Sequence, residues 1–197
     1  VLGSGGEVYA FGGGGYGQLG HGNKETQLTP QVIQALKGMR VRAVAAGVAH
    51  SLVLSVGGEV YSFGRGGEGQ LGHGNEEMQL VPKRIEAVGT VRAMAAGEVH
   101  SMLLTEAGAV YSFGEGESGQ LGYDAEISHA PRMIKALQGA KVRTIAVGSG
   151  STSYAVATAG RAYGWGYGED VTLGLGLTEH QPTPLQYSSA QLRVREV

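Results

Sequence analysis

Gly58-Glu59-Val60-Tyr61-Ser62-Phe63-Gly64 runs directly into Arg65-Gly66-Gly67-Glu68-Gly69-Gln70-Leu71-Gly72. The first half puts β-branched and aromatic residues between glycines, the composition of a short strand bounded by turns. The second half is too rich in glycine to hold a helix and reads as a tight loop. The same order returns at Gly6-Glu7-Val8-Tyr9-Ala10-Phe11-Gly12 and at Gly108-Ala109-Val110-Tyr111-Ser112-Phe113-Gly114, and in weaker form at Gly160-Arg161-Ala162-Tyr163-Gly164-Trp165-Gly166. The tyrosines at 9, 61, 111 and 163 stand 52, 50 and 52 residues apart, a period that belongs to repeat architectures.

The rest of each unit keeps the same phase. Gln18-Leu19-Gly20 recurs as Gln70-Leu71-Gly72 and Gln120-Leu121-Gly122, then degrades to Thr172-Leu173-Gly174. Pro30, Pro82, Pro131 and Pro184 follow. Val41-Arg42-Ala43-Val44-Ala45-Ala46-Gly47 is matched by residues 91–97 and 142–148, and His50-Ser51-Leu52-Val53-Leu54 by residues 100–104. The third copy of that last segment is Thr152-Ser153-Tyr154-Ala155-Val156, with one extra residue in the turn before it. Four short strands per unit are expected, in the first unit over residues 8–11, 29–33, 41–45 and 51–54, with a single helical turn at Gln34-Ala35-Leu36-Lys37. Amphipathic runs long enough for a helical solenoid do not occur. Four strands at a period near 50 predict all-β propeller blades. The units span approximately 6–57, 58–107, 108–159 and 160–197, and residues 1–5 are the tail of a preceding blade. This abundance of glycine, 36 of 197 residues, serves turns of positive φ and close backbone approach. Ala45-Ala46-Gly47 and Ala95-Ala96-Gly97 suit the crowded inner edge of a blade, so Gly47→Val or Gly97→Val should destabilise the array by backbone strain.

The combination Val-Tyr-Ser-Phe-Gly-x-Gly-x-x-Gly-Gln-Leu-Gly, then Pro, then Val-x-x-x-Ala-Ala-Gly-x-x-His-Ser resembles the regulator of chromosome condensation repeat over essentially the whole chain. The resemblance implies a seven-bladed β-propeller, of which this chain would supply about four four-stranded blades as part of a longer protein; the other reading of its ends is a short protein that closes as a four-bladed ring or by self-association. It implies a protein-interaction scaffold that is not an enzyme and needs no cofactor. The alternative it offers is guanine-nucleotide exchange on a Ran-like small GTPase, although the hairpin insertion and basic tail of the family's exchange factor have no counterpart here. The tryptophan-bearing Gly-Trp-Arg-His-Thr motifs of the family's ultraviolet-B photoreceptor are also missing, and Trp165 is expected in the core.

Composition narrows the partners. Net charge is −2, which speaks against direct nucleic-acid binding. No run approaches a membrane span, and the absence of Cys fits an intracellular compartment, cytoplasmic or nuclear. Protein partners remain. Gly-x-Gly-x-x-Gly occurs at 12/14/17, 64/66/69 and 114/116/119, but a dinucleotide site needs a helix N-terminus after the loop, and none is expected. His50 and His100, each followed by Ser, read as ties for a turn rather than as catalysts. His21 and His73, replaced by Tyr123 in the third copy, read as polar-tipped loop residues. Arg42, Arg92, Arg143 and Arg195 share one position in all four units. They read either as solvated charges that discourage edge pairing or as an arc of guanidinium groups for an acidic partner; their reversal to Glu should leave folding intact. In the second reading Arg40 and Arg193 extend that arc. Glu68, Glu115, Glu117, Glu169 and Asp170 fall in the variable parts of the glycine loops and mark either solvated tips or a second candidate contact rim.

Overall fold

Each alternating segment forms a strand, and the strands group into antiparallel sheets in a computed structural model that describes residues 1–86, 88–148, 150–158, 160–169, 173–176 and 178–187. The order is β1 (Tyr9–Gly12), β2 (Gln27–Val32), β3 (Val41–Ala46), β4 (His50–Ser55), β5 (Val60–Gly64), β6 (Gln79–Arg84), β7 (Val91–Ala96), β8 (His100–Thr105), β9 (Val110–Glu115), β10 (Ile127–Met133), β11 (Val142–Val147), β12 (Thr152–Ala157), β13 (Ala162–Gly166) and β14 (Gln181–Gln186). The expected helical turn is a 3₁₀ turn at Gln34–Leu36, with a second at Lys135–Leu137.

Among the described residues, β3-β4-β5-β6, β7-β8-β9-β10 and β11-β12-β13-β14 are four-stranded meanders, and β1-β2 is a two-stranded sheet. Leu2 bridges Val8, the pairing that Leu54 makes with Val60 in the next sheet. A sheet is therefore out of phase with the sequence unit: it takes its first two strands from the end of one unit and its last two from the start of the next. Successive sheets meet through their first strands, β3 against β7 and β7 against β11, which places these strands innermost in a partial β-propeller. Pro30, Pro82, Pro131 and Pro184 all fall on the outermost strands, where a missing N–H costs no ladder bond and the edge is blunted against aggregation.

The core is layered between sheets rather than held inside one. Leu52, Leu54, Val60 and Ile85 of one blade meet Val91, Leu103 and Phe113 of the next, and Met102, Leu104, Val110 and Ile134 meet Val142, Ile145, Ala155 and Trp165. Trp165 is fully buried, as expected. Each blade buries its apolar faces only because a neighbour covers them, the general logic of repeat proteins.

Candidate interaction surfaces

The polar residues that repeat in the sequence converge on the joints between blades. Ser101 donates its hydroxyl to the Gln70 carbonyl of the preceding blade's glycine loop at 2.9 Å. The same Oγ lies 2.8 Å from His50 Nε2 and so accepts the imidazole N–H. The motif repeats one blade on: Ser153 donates to the Gln120 carbonyl at 2.8 Å and lies 2.9 Å from His100 Nε2. Ser51 donates to the Gln18 carbonyl at 2.9 Å. The histidines thus tie neighbouring blades together as well as lining their own turn, and the serine hydroxyls are committed to these bonds. Burial pushes His50 down to about 4 and, with the added repulsion of His50, His100 down to about 3, so both rings are neutral. Gly47 lies against this network. A Cβ there would sit 2.4 Å from the Gly97 carbonyl oxygen and 2.5 Å from the His50 ring. Gly47 does not have positive φ, so its necessity is steric, not the backbone strain expected from the sequence.

The glycine loops are architectural too. Each reaches over the next blade: Gly22 N–H donates to Leu80 O and Gly74 N–H to His129 O. Gly69 has φ of 75°, and a Cβ on it would meet the His129 backbone at 2.9 Å. Leu71, Leu121, Gln70 and Gln120 are buried beneath the loops, and no helix follows them. His73 Nε2 meets Ser62 Oγ at 2.9 Å, and Tyr123 donates to the Ser112 carbonyl at 2.9 Å; these loop residues close the loop onto its own sheet.

The arginines occupy a position that the sequence does not reveal. The register between first and second strands shifts between Val41 and Ala43, between Val91 and Ala93, and between Val142 and Thr144, so Arg42, Arg92 and Arg143 each sit at a β-bulge. A bulge re-aims its side chain. Arg42 Nη2 donates to Arg92 O at 2.6 Å, and Arg92 Nη2 to Val142 O at 2.6 Å. Two of the guanidinium groups therefore link consecutive inner strands. The expectation that reversing these arginines leaves folding intact does not fit this geometry, because Arg42 and Arg92 satisfy backbone carbonyls of the next blade. Arg42 also lies 3.9 Å from Glu106. Arg195, Arg193 and Asp170 lie outside the described residues.

The glutamates gather at the other end of the strands. Gly64 pairs with His50 and Gly114 with His100, so the glycine loops adjoin the turns after the innermost strands; Arg65 N–H donates to Ala49 O and Glu115 N–H to Val99 O. Glu68 is ion-paired with Arg65 and accepts from Gln70 Nε2 at 2.8 Å. Glu115 accepts from Gln120 Nε2 at 3.1 Å, while Glu117 and Glu169 are exposed. Burial, then the charges of Glu117 and Glu68, raise the Glu115 carboxyl above its ordinary value, with Glu98 adding to the effect. Glu98 escaped the sequence reading. Its signal was available, because it fills the variable slot after Gly97 in a turn whose repeats place it beside the glycine loop.

Comparison with known proteins gives the same architecture. The regulator of chromosome condensation (RCC1) repeat model matches residues 5–54, 57–104, 107–154 and 159–197. The chain is 49% identical over 84 residues to the ultraviolet-B receptor UVR8 of Arabidopsis thaliana, which is 43% of this chain and 19% of that receptor. Human WBSCR16 superposes with a TM-score of 0.84 at 28% identity, covering 93% of this chain and 48% of the other. Prp20p of Saccharomyces cerevisiae, whose structure was reported with its binding to Gsp1p and histones, superposes with a TM-score of 0.78 at 28% identity, covering 94% of this chain and 47% of the other. The chain thus spans about half the length of these solved structures and less of the receptor. No helix among the described residues is long and apolar enough to cross a membrane.

Proposed function

Because the chain belongs to the regulator of chromosome condensation repeat family, we propose that it is a non-catalytic protein-interaction element, a run of propeller blades that presents loop-end side chains to a protein partner. One observation carries this reading. The repeated His, Ser and Gln residues that imitate catalytic or nucleotide-binding motifs are engaged in blade-to-blade bonds, whereas residues that vary between repeats, Glu98 and Glu117 among them, are exposed at the loop end. A rigid scaffold with variable loops is the usual arrangement of a recognition surface. Glu68, Glu98, Glu115 and Glu117 favour a partner segment rich in Lys or Arg, and their mutual repulsion, which adds to burial in raising the Glu115 carboxyl, is relieved when cations approach. Titration of a fluorescent Lys-rich peptide tests this: Glu98→Lys/Glu117→Lys is expected to weaken binding about tenfold, and equal binding by both proteins removes the loop-end reading.

Exchange on a Ran-like small GTPase is the second reading, favoured by the similarity to Prp20p, a protein reported to bind Gsp1p. Exchange would require this chain to bind the nucleotide-free GTPase better than the loaded form. Mixing the chain with such a GTPase carrying a fluorescent nucleotide decides the matter; an unchanged release rate removes exchange and leaves the interaction reading in place.

A further inference from the structure

The near-neutral chain conceals a strong separation of charge. Among the described residues, the glycine loops and the turns beside them hold eleven acidic side chains against two basic ones, Lys24 and Arg65. The opposite end of the sheets, with the bulge arginines Arg42, Arg92 and Arg143 included, holds eight basic side chains against four acidic ones, Glu7, Glu59, Glu86 and Glu106. That second end consists of the turn before β1, the turns after β4, β8 and β12, and the linkers that enter the next sheet with the bulges that follow them; turns and linkers are held together where Val56, Glu106 and Thr158 donate N–H groups to Arg40, Thr90 and Lys141 carbonyls. Strands of six residues separate the ends by about 20 Å at roughly 3.3 Å per residue. The Debye length at physiological salt is about 8 Å, so a partner at one end feels that end and not the net charge of −2.

We propose that the basic end is a second docking surface, independent of the loop end, and that its partner is an acidic polypeptide segment rich in Glu or Asp. This rests on the reading of the chain as an interaction element and makes it an adaptor that holds partners of opposite charge on opposite sides. Three observations select carboxylates. First, Arg42 already faces one, Glu106 at 3.9 Å, and the equivalent position in the following blade is Thr158, so Arg92 has no such carboxylate from its neighbour. Second, Arg42 and Arg92 each use an Nη2 on a backbone carbonyl, which fixes the planar guanidinium groups for carboxylate recognition. Third, the four acidic residues divide the basic end into separate cationic spots, a spacing that matches side-chain carboxylates on a polypeptide better than the dense, continuous charge of a duplex phosphate backbone. Lys37, Arg40, Lys141 and Arg161 flank the arginines and are exposed.

The test uses the whole chain and a fluorescent Glu-rich peptide, with duplex DNA of equal charge as competitor. Lys37→Glu/Arg40→Glu/Lys141→Glu/Arg161→Glu avoids the arginines of the joints, and a melting curve confirms that it folds. The expected results are saturable peptide binding that weakens as salt rises, a loss of at least about tenfold in the quadruple variant, and no loss in Glu98→Lys/Glu117→Lys. The proposal is overturned if the wild-type chain does not bind the peptide, if the quadruple variant binds as well, or if the DNA binds more tightly than the peptide. Retention of the Lys-rich peptide at the loop end in any of those cases would remove this second surface while leaving the first standing.

Discussion

Acidification should weaken the joints between blades through two side chains in particular. His50 and His100 are buried, donate Nε2–H to serines of the next blade, and are held at about 4 and about 3 by their surroundings. In the unfolded chain each returns to about 6.5. Because the folded values lie below the unfolded one, the unfolded chain takes up protons first. Stability is complete above about pH 6.5, falls below it, and levels off beneath the folded values. At about pH 5 both rings remain neutral in the fold, and 1.5 pH units at about 1.4 kcal/mol per unit gives ~2 kcal/mol for each histidine, ~4 kcal/mol for the pair. Urea unfolding of the wild type and of His50→Gln/His100→Gln, at about pH 7.5 and about pH 5, isolates this contribution. Glutamine keeps an N–H for the serine but does not titrate. His73, which burial also pushes down to about 4, is present in both proteins and cancels in the difference. The double variant is expected to be the less stable protein at pH 7.5 and to lose ~4 kcal/mol less on acidification. Equal losses in the two proteins would refute the assignment of the neutral imidazoles to the joint.

Gly47→Ala should cost about 3 kcal/mol and Gly97→Ala about 1 kcal/mol by chemical denaturation, because the new Cβ meets a carbonyl oxygen at 2.4 Å in the first case and a side-chain ring at 2.9 Å in the second. Ser101→Ala should cost about 2 kcal/mol in the same assay, since it leaves both the Gln70 carbonyl and His50 Nε2 without their buried partner. Arg42→Glu should lower the melting temperature, because Arg92 O loses its donor; an unchanged temperature would mean that the guanidinium contributes nothing to the joint.

The period of about 50 residues, the alternating segments and the glycine punctuation are enough by themselves to set the number and kind of strands, the fold class and the family resemblance. These signals are local: a strand and its turns are written in adjacent residues, and repetition multiplies a weak signal into a clear one. The placement of Trp165 in the core and, among the described residues, the absence of a helix after the glycine loops followed from the same reasoning. What each repeated side chain touches was not legible. Ser101 answers to Gln70 and His50, 31 and 51 positions away, and Arg42 answers to Arg92, 50 positions away. Those pairings exist only because one blade is laid beside the next. The bulges at Arg42, Arg92 and Arg143 are a property of strand register, which no single strand carries. Charge was hidden in the same way, since acidic and basic residues alternate along the chain with each strand and sort onto opposite ends only when every strand turns back on its neighbour.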